Sequence, residues 1–238
     1  MALSSAVRSA VGKRVAVVLA GCGVYDGSEI QEAVFALNKL SKVGAKVQCF
    51  APDKNQMHVI NHTNGSEMTE TRNVLVESAR ICRGNIQNIT GLKAADFDAV
   101  VFPGGFGVAK NLSDLAVKGP EVTVEPETQR VIQDFHAASK PVGLCCIAPG
   151  LAAKALEKVP GLELTLGGEE EGKKWPYAGT VGAVKALGST HVPKPVSEAH
   201  VDAKNKVITS PAYMCGDAPM HEIEESVVAM VEKTVEMA

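Results

Sequence analysis

Pro141-Val-Gly-Leu-Cys-Cys-Ile-Ala-Pro-Gly150 decides the fold. An apolar strand ends at the cysteine pair, and a helix opens within about four residues, with Pro149 suited to its first turn. A change of direction that tight places one side chain, Cys146, on the corner above the strand. The arrangement is a nucleophile elbow, which projects a reactive group from the top of a sheet. The helix that follows offers unpaired N–H groups and a partial positive charge, and these would lower the pKa of a thiol there. Cys145, one residue earlier in the alternation, points inward and reads as a small core residue. The alternative for Cys146 is a second buried thiol.

The same strand-to-helix alternation extends in both directions. Upstream, Arg14-Val-Ala-Val-Val-Leu-Ala20 is a buried strand closed by Gly21-Cys22-Gly23. Ser28 and Gln31 form a capping box for a helix running to Lys42, with Gly44 as its stop. Strands follow at 45–51 and 98–102, and helices at 67–83 and 128–139. Downstream come a helix over 149–158, a hairpin over 201–209 turning at Asn205, and an amphipathic helix over 218–237. Such alternation predicts a mostly parallel sheet covered by helices on both faces, with function in loops at the carboxyl ends of the strands.

No linker or repeat divides the 238 residues, so 15–238 reads as a single α/β domain behind a basic extension, 1–14. That extension carries Arg8, Lys13 and Arg14 without an acid, a composition like a short mitochondrial transit segment. The other reading is a frayed terminus in a cytoplasmic protein. Apolar residues make up 45% and the formal charge is −3, which excludes disorder and a basic nucleic-acid surface. The longest clean apolar run, Val15 to Ala20, is far short of a membrane-spanning helix, so no membrane partner is expected. The six cysteines show no C-x-x-C pairing and read as free thiols in a reducing compartment.

Two glycine-rich loops follow buried strands. Phe102-Pro-Gly-Gly-Phe-Gly107 can aim backbone N–H groups at a developing oxyanion. Gly21, Gly23 and Gly27 give G-x-G-x-x-x-G, one residue longer than the dinucleotide fingerprint, and Asp53 lies beyond the usual spacing for its ribose acid. Glu29 or Glu32, in the helical turn that follows, could instead hold a proton against a cysteine. His58-Val-Ile-Asn-His62 has metal-pair spacing, but its residues do not favour a helix and no third ligand follows, so no metal is assigned. His200-Val-Asp202 resembles a His-acid dyad in a hairpin, and Glu169-Glu-Glu171 with Lys173 and Lys174 reads as a solvated loop.

Taken together, the residues resemble the type 1 glutamine-amidotransferase-like superfamily, which includes the parkinsonism-associated deglycase and the PfpI-type proteases. The likeness rests on Pro103-Gly-Gly, Ala109-Lys-Asn-Leu112, Cys146-Ile-Ala-Pro149 and Val207-Ile-Thr-Ser210. Gly21-Cys-Gly-Val-Tyr-Asp-Gly-Ser-Glu29, Phe50-Ala-Pro-Asp53, Glu70-Thr-Arg-Asn73 and Thr209-Ser-Pro-Ala-Tyr-Met214 narrow it to the enhancing-lycopene-biosynthesis proteins and the glutamine amidotransferase-like class 1 domain proteins.

The resemblance implies a flavodoxin-like three-layer sandwich, a homodimer and a cofactor-free site. Cys146 would be the nucleophile and Glu32, which begins Glu-Ala-Val-Phe, its glutamate partner, with Glu29 as fallback. Gly104 and Gly105 would be the oxyanion donors, and His191 and His200 the candidate histidines. The implied activity is that of a glyoxalase-type lyase converting glyoxal or methylglyoxal to the hydroxy acid. A redox sensor or chaperone-like protein is the first alternative, and a small-molecule or nucleotide-binding protein the second. Ile147 stands where PfpI-type proteases carry a histidine, which argues against proteolysis. The lack of a downstream His-x-Glu argues against a glutaminase.

Overall fold

The computed structural model describes residues 11–238; most of the basic N-terminal extension lies outside the described residues. Seven strands form one sheet in the order β3-β2-β1-β4-β5-β9-β8. They are β1 (Arg14–Val18), β2 (Lys46–Ala51), β3 (Ile86–Asn88), β4 (Ala99–Phe102), β5 (Val142–Cys145), β8 (His200–Asp202) and β9 (Val207–Ser210). All neighbours run parallel except the edge pair β8 and β9. Val15 to Val18, Ala99 to Phe102 and Val142 to Cys145 have essentially no exposed surface. Strands buried on both faces read as continuous apolar runs, which is why these segments show no alternation. Two short strands, β6 (Glu163–Leu164) and β7 (Thr190–His191), form a separate parallel pair too brief to leave a sequence signal.

Helices α1 (Ile30–Lys42), α2 (Val74–Ile81), α5 (Pro126–Ala137), α6 (Pro149–Ala155) and α8 (Met220–Met237) complete the sandwich. Three further helices are α3 (Phe106–Lys110), α4 (Leu115–Lys118) and α7 (Gly179–Ala186), of which α3 and α4 follow β4 in the chain. On one face α1 and α8 pack together, joined at the rim by the Lys39–Glu232 ion pair. α8 also lies against β5, where a Cβ on Gly143 would stand 2.4 Å from Thr234 Oγ1. α5 packs against β5 and α6.

The start of α1 differs from the capping box expected at Ser28. Glu29 is the cap, its Oε2 accepting the Glu32 N–H at 2.7 Å. The Ser28 hydroxyl instead accepts the Ala20 N–H at 2.8 Å, tying the loop back to the end of β1. Gly44 does stop the helix, at φ +77° with its N–H on Ser41 O. α2 begins at Val74 rather than Glu67 because Asn73 caps it by accepting the Val76 N–H. The residues ahead of it form an excursion pinned by antiparallel bridges Asn55–Asn73 and Ile60–Glu67. The expected hairpin is present: the Asp202 carboxylate accepts both the N–H and the side-chain amide of Asn205.

Candidate active site

Cys146 sits where β5 turns into α6, with φ at +58°. A non-glycine residue in that region costs on the order of 1–2 kcal/mol and persists only where its surroundings hold it. Here the Cys146 N–H donates to Ser210 O on β9 at 3.0 Å. Cys146 is 8% exposed, and the backbone N–H groups of Gly105 and Ile147 favour its ionised form.

Behind the thiol lies Glu32, in the first turn of α1 and fully buried. Its Oε2 accepts the Gly104 N–H at 2.8 Å, and its Oε1 accepts the Tyr213 N–H at 3.2 Å. Cys145 Sγ–H donates to Oε2 at 3.7 Å, and the Cys146 side chain favours the ionised carboxyl. Burial, and then the neighbouring charge of Glu29, push the Glu32 carboxyl up to about 8, so it keeps its proton at neutral pH. Glu29 is raised as well, by burial, although the N–H groups of the α1 first turn oppose the shift.

Two expectations change here. The Cys146 thiol is raised well above its ordinary range, chiefly by burial and then by the Glu32 charge. The helix N-terminus and these two N–H groups do not outweigh desolvation. Thiol and carboxyl therefore act as a pair, and the pair must lose one proton before a thiolate can form. The second change concerns the oxyanion donors. The Gly104 N–H is committed to Glu32, so Gly105 and Ile147, rather than Gly104 and Gly105, are the backbone N–H groups that favour the thiolate. Gly104 has a different reason to be glycine: a Cβ there would meet Cys146 Cβ at 2.4 Å and Glu32 Oε2 at 2.7 Å.

The Gly21–Glu29 loop is a packing seam with no phosphate cradle. Gly107 N–H donates to Gly27 O at 2.8 Å, Phe106 N–H to Val24 O at 2.7 Å, and Glu29 N–H to Gly104 O at 2.9 Å. A Cβ on Gly107 would stand 2.4 Å from Gly27 Cα. The N–H groups of the loop's glycines are also taken, Gly21 by Ser78 Oγ, Gly23 by Ser28 O and Gly27 by Gly23 O. With the Glu29 carboxyl already capping α1, that helix end offers a phosphate few free donors, which argues against a nucleotide at this loop.

Asn111 fastens this seam. Its Nδ2 donates to Ala20 O and Asp26 O at 2.8 and 2.9 Å, and its Oδ1 accepts the Met57 N–H at 2.9 Å. Asn111→Ala would leave those buried groups unpartnered. A loss of about 2–3 kcal/mol in urea unfolding is expected, and a change below about 0.5 kcal/mol would contradict this account.

The cleft above Cys146 has a volume of about 930 Å³ and is lined mostly by apolar and aromatic side chains, with Glu29 and Gln31 near its floor. Neither His191 nor His200 lines it. His191 is clamped in the small sheet, its Nε2 accepting the Leu166 N–H and its Nδ1 against Glu169 Oε1. Glu169 keeps this contact from the exposed loop expected at 169–171. His200 Nε2 lies against Glu163 Oε2 at the hairpin edge, and Asp202 is occupied by Glu163 N–H and Asn205. His62 is not on a helix; its Nε2 accepts the Tyr25 N–H and its Nδ1 faces Ile60 O. The structure thus brings together Cys146, Glu32, Glu29, Gly104 and Gly105 and leaves both histidines apart. Sequence reasoning missed the Tyr213 N–H, although Tyr213 lies within Thr209-Ser-Pro-Ala-Tyr-Met214. It also missed the aromatic cleft wall.

Comparison with known proteins gives the kinship. The chain is 58% identical over 226 residues to the "ES1 protein homolog, mitochondrial" of Rattus norvegicus, covering 94% of this chain and 84% of that protein. It is 59% identical over 226 residues to the "Glutamine amidotransferase-like class 1 domain-containing protein 3, mitochondrial" of Homo sapiens, covering 94% and 83%. The mitochondrial location expected from the basic N-terminus is the one these names carry. Among solved structures, an isoprenoid biosynthesis protein with an amidotransferase-like domain from Ehrlichia chaffeensis superposes with TM-score 0.86 at 34% identity, over 95% of this chain and 99% of that one. A ThiJ/PfpI domain protein from Brachyspira murdochii shares the fold, with TM-score 0.55 at 13% identity over 93% and 95% of the two chains. No family model matches the chain.

Proposed function

The chain belongs to the ES1 family of mitochondrial glutamine amidotransferase-like class 1 domain proteins, and from that premise we propose that it is a cofactor-free, glyoxalase-like enzyme that turns a 2-oxoaldehyde into a 2-hydroxy acid through Cys146. The observation that carries the reading is Cys146 in an open cleft beside the Gly105 and Ile147 backbone, with the buried Glu32 carboxyl behind it across Gly104.

The reaction needs one proton to leave the pair. The thiolate of Cys146 then adds to the aldehyde carbon, and the Glu32 carboxyl protonates the new alkoxide to give a hemithioacetal. Until that proton arrives, the Gly105 and Ile147 N–H groups stabilise the developing charge. The Glu32 carboxylate next takes the hydrogen from the aldehyde carbon and returns it to the neighbouring carbonyl carbon. The hydroxyl proton passes between the two oxygens, and the product is a thioester of the 2-hydroxy acid. Water cleaves the thioester, releasing the acid and restoring the thiol. One water is consumed, and the substrate is oxidised at one carbon and reduced at the next, so no external redox partner is required.

Glutaminase chemistry has less support, because among the described residues no histidine lines the cleft to serve as the base of a Cys-His-acid triad. A redox sensor needs an accessible, readily ionised thiol, whereas this one is buried and raised. The test is whether methylglyoxal yields lactate with the wild-type protein and not with Cys146→Ser.

A further inference from the structure

We propose that the reactant is an uncharged 2-oxoaldehyde carried on a bulky apolar body, aromatic or branched, rather than methylglyoxal or an anionic aldehyde; this rests on the thiol-dependent reading above. Size is the first argument. Cavities of roughly 300–1,000 Å³ hold ligands with many more atoms than methylglyoxal, and the cleft over Cys146 lies near the top of that range at about 930 Å³.

The wall chemistry is the second argument. Tyr25, Phe106, Leu115, Ile147, Tyr177 and Met214 face the space, with Tyr25 40% and Tyr177 43% exposed. Phe106 meets Tyr177 edge-to-face at 5.7 Å, so part of the wall is already held in place. A methyl group would cover little of this surface. A ring or branched chain would remove far more of it from water, at roughly 25 cal/mol for each Å².

The third argument is charge. Among the described residues no lysine, arginine or histidine lines the cleft, and the acids at or behind its floor are Glu29 and Glu32. Lys110, on α3 beside Phe106, has its ammonium 3.0 Å from Tyr25 O and stacked 5.5 Å over the Phe106 ring. A carboxylate or phosphate on the substrate would lose its hydration and gain no cation in return. The wall therefore selects a neutral body and leaves only the two carbonyls to the polar floor.

The experiment compares three probes by product formation: methylglyoxal, phenylglyoxal and 4-carboxyphenylglyoxal, with Cys146→Ser as the blank for adventitious modification. Phenylglyoxal is expected to show a kcat/KM about 30-fold or more above methylglyoxal, and the carboxylated probe about 10-fold or more below phenylglyoxal. Tyr177→Ala is expected to shrink the phenylglyoxal advantage. Equal or better turnover of methylglyoxal, dependent on Cys146, would overturn the substrate inference and leave the thiol mechanism standing.

A second readout separates the two ideas if no probe is turned over. The unreactive ketone acetophenone is expected to shift the NMR methyl signals of Leu115 and Met214, and 4-acetylbenzoate is expected to leave them in place. With no turnover, that pattern would sink the thiol chemistry and retain the apolar selectivity. Silence from both ketones would overturn the selectivity too.

Discussion

Glu32→Gln is expected to lower kcat/KM toward a 2-oxoaldehyde by about 10²–10³-fold and to change the pH dependence of what remains. In the wild-type protein the first proton leaves the Cys146–Glu32 pair as pH rises through about 8, the value to which burial pushes the carboxyl. Below that pH both groups are protonated and the thiol is a weak nucleophile. Above it the pair holds one proton, resident mainly on the thiol, and the reactive arrangement forms when that proton passes to the carboxylate and leaves thiolate beside carboxylic acid. Activity therefore rises with pH across this range.

Glutamine removes the acid that donates to the thiolate and the base that moves the carbon-bound hydrogen. Both carboxyl oxygens also accept backbone N–H groups, from Gly104 and Tyr213, and a glutamine NH₂ would oppose one of them. Stability carries the same signature. The folded chain holds the Glu32 proton more tightly than the unfolded chain does. Its contribution is complete below the ordinary carboxyl value of 4.5 and is lost as pH climbs toward about 8, at about 1.4 kcal/mol per unit. That slope should flatten in Glu32→Gln. An unchanged activity profile, with an unchanged slope in urea unfolding between pH 5 and about 8, would contradict the shared proton.

Gly105→Ala is expected to have the largest effect on the fold near the site. Gly105 has φ +100°, a region that an L side chain enters at a cost of about 1–3 kcal/mol. Its new methyl would stand 2.3 Å from Glu29 N and 2.5 Å from Gly27 O. Those are backbone atoms of the facing loop, so no side chain can swing aside. Relief requires opening the seam that holds Glu29 N–H on Gly104 O, and with it the approach of α1 to Cys146. Strain and lost contacts together come to about 3–5 kcal/mol. A fall in melting temperature of roughly 10 °C or more, with loss of turnover, is the expected result. A protein melting within about 2 °C of wild type would show that the two loops are not locked as described.

The sheet and its main helices were legible because strands buried on both faces appear as unbroken apolar runs, such as Val15 to Ala20, and because Gly44 and Asn205 are chemically committed to a stop and a turn. The corner at Cys146 was legible for the same local reason: strand and helix signals meet there with no room for a loop. What escaped depends on contacts distant in sequence. Ser28 has the chemistry of a cap, but the closing of its loop onto β1 gives its hydroxyl to Ala20 and leaves capping to Glu29. The G-x-G-x-x-x-G spacing looks like a phosphate loop until Gly105 and Gly107 are seen packed against it. The thiol's acidity was misjudged because a helix N-terminus is visible in sequence and burial of the carboxyl behind it is not. His191 and His200 were candidates by residue type alone, and their partners Leu166, Glu169 and Glu163 lie on segments without a sequence pattern linking them.

The central claim is that Cys146 is a nucleophile toward a 2-oxoaldehyde, and the direct measurement is NMR of methylglyoxal incubated with wild type and with Cys146→Ser in parallel. Lactate accumulating catalytically with wild type, and at the level of buffer alone with the variant, is the predicted result. Equal, stoichiometric loss of methylglyoxal in both samples, with no lactate and no 2-hydroxy acid from phenylglyoxal, would mean that the elbow does not perform this chemistry.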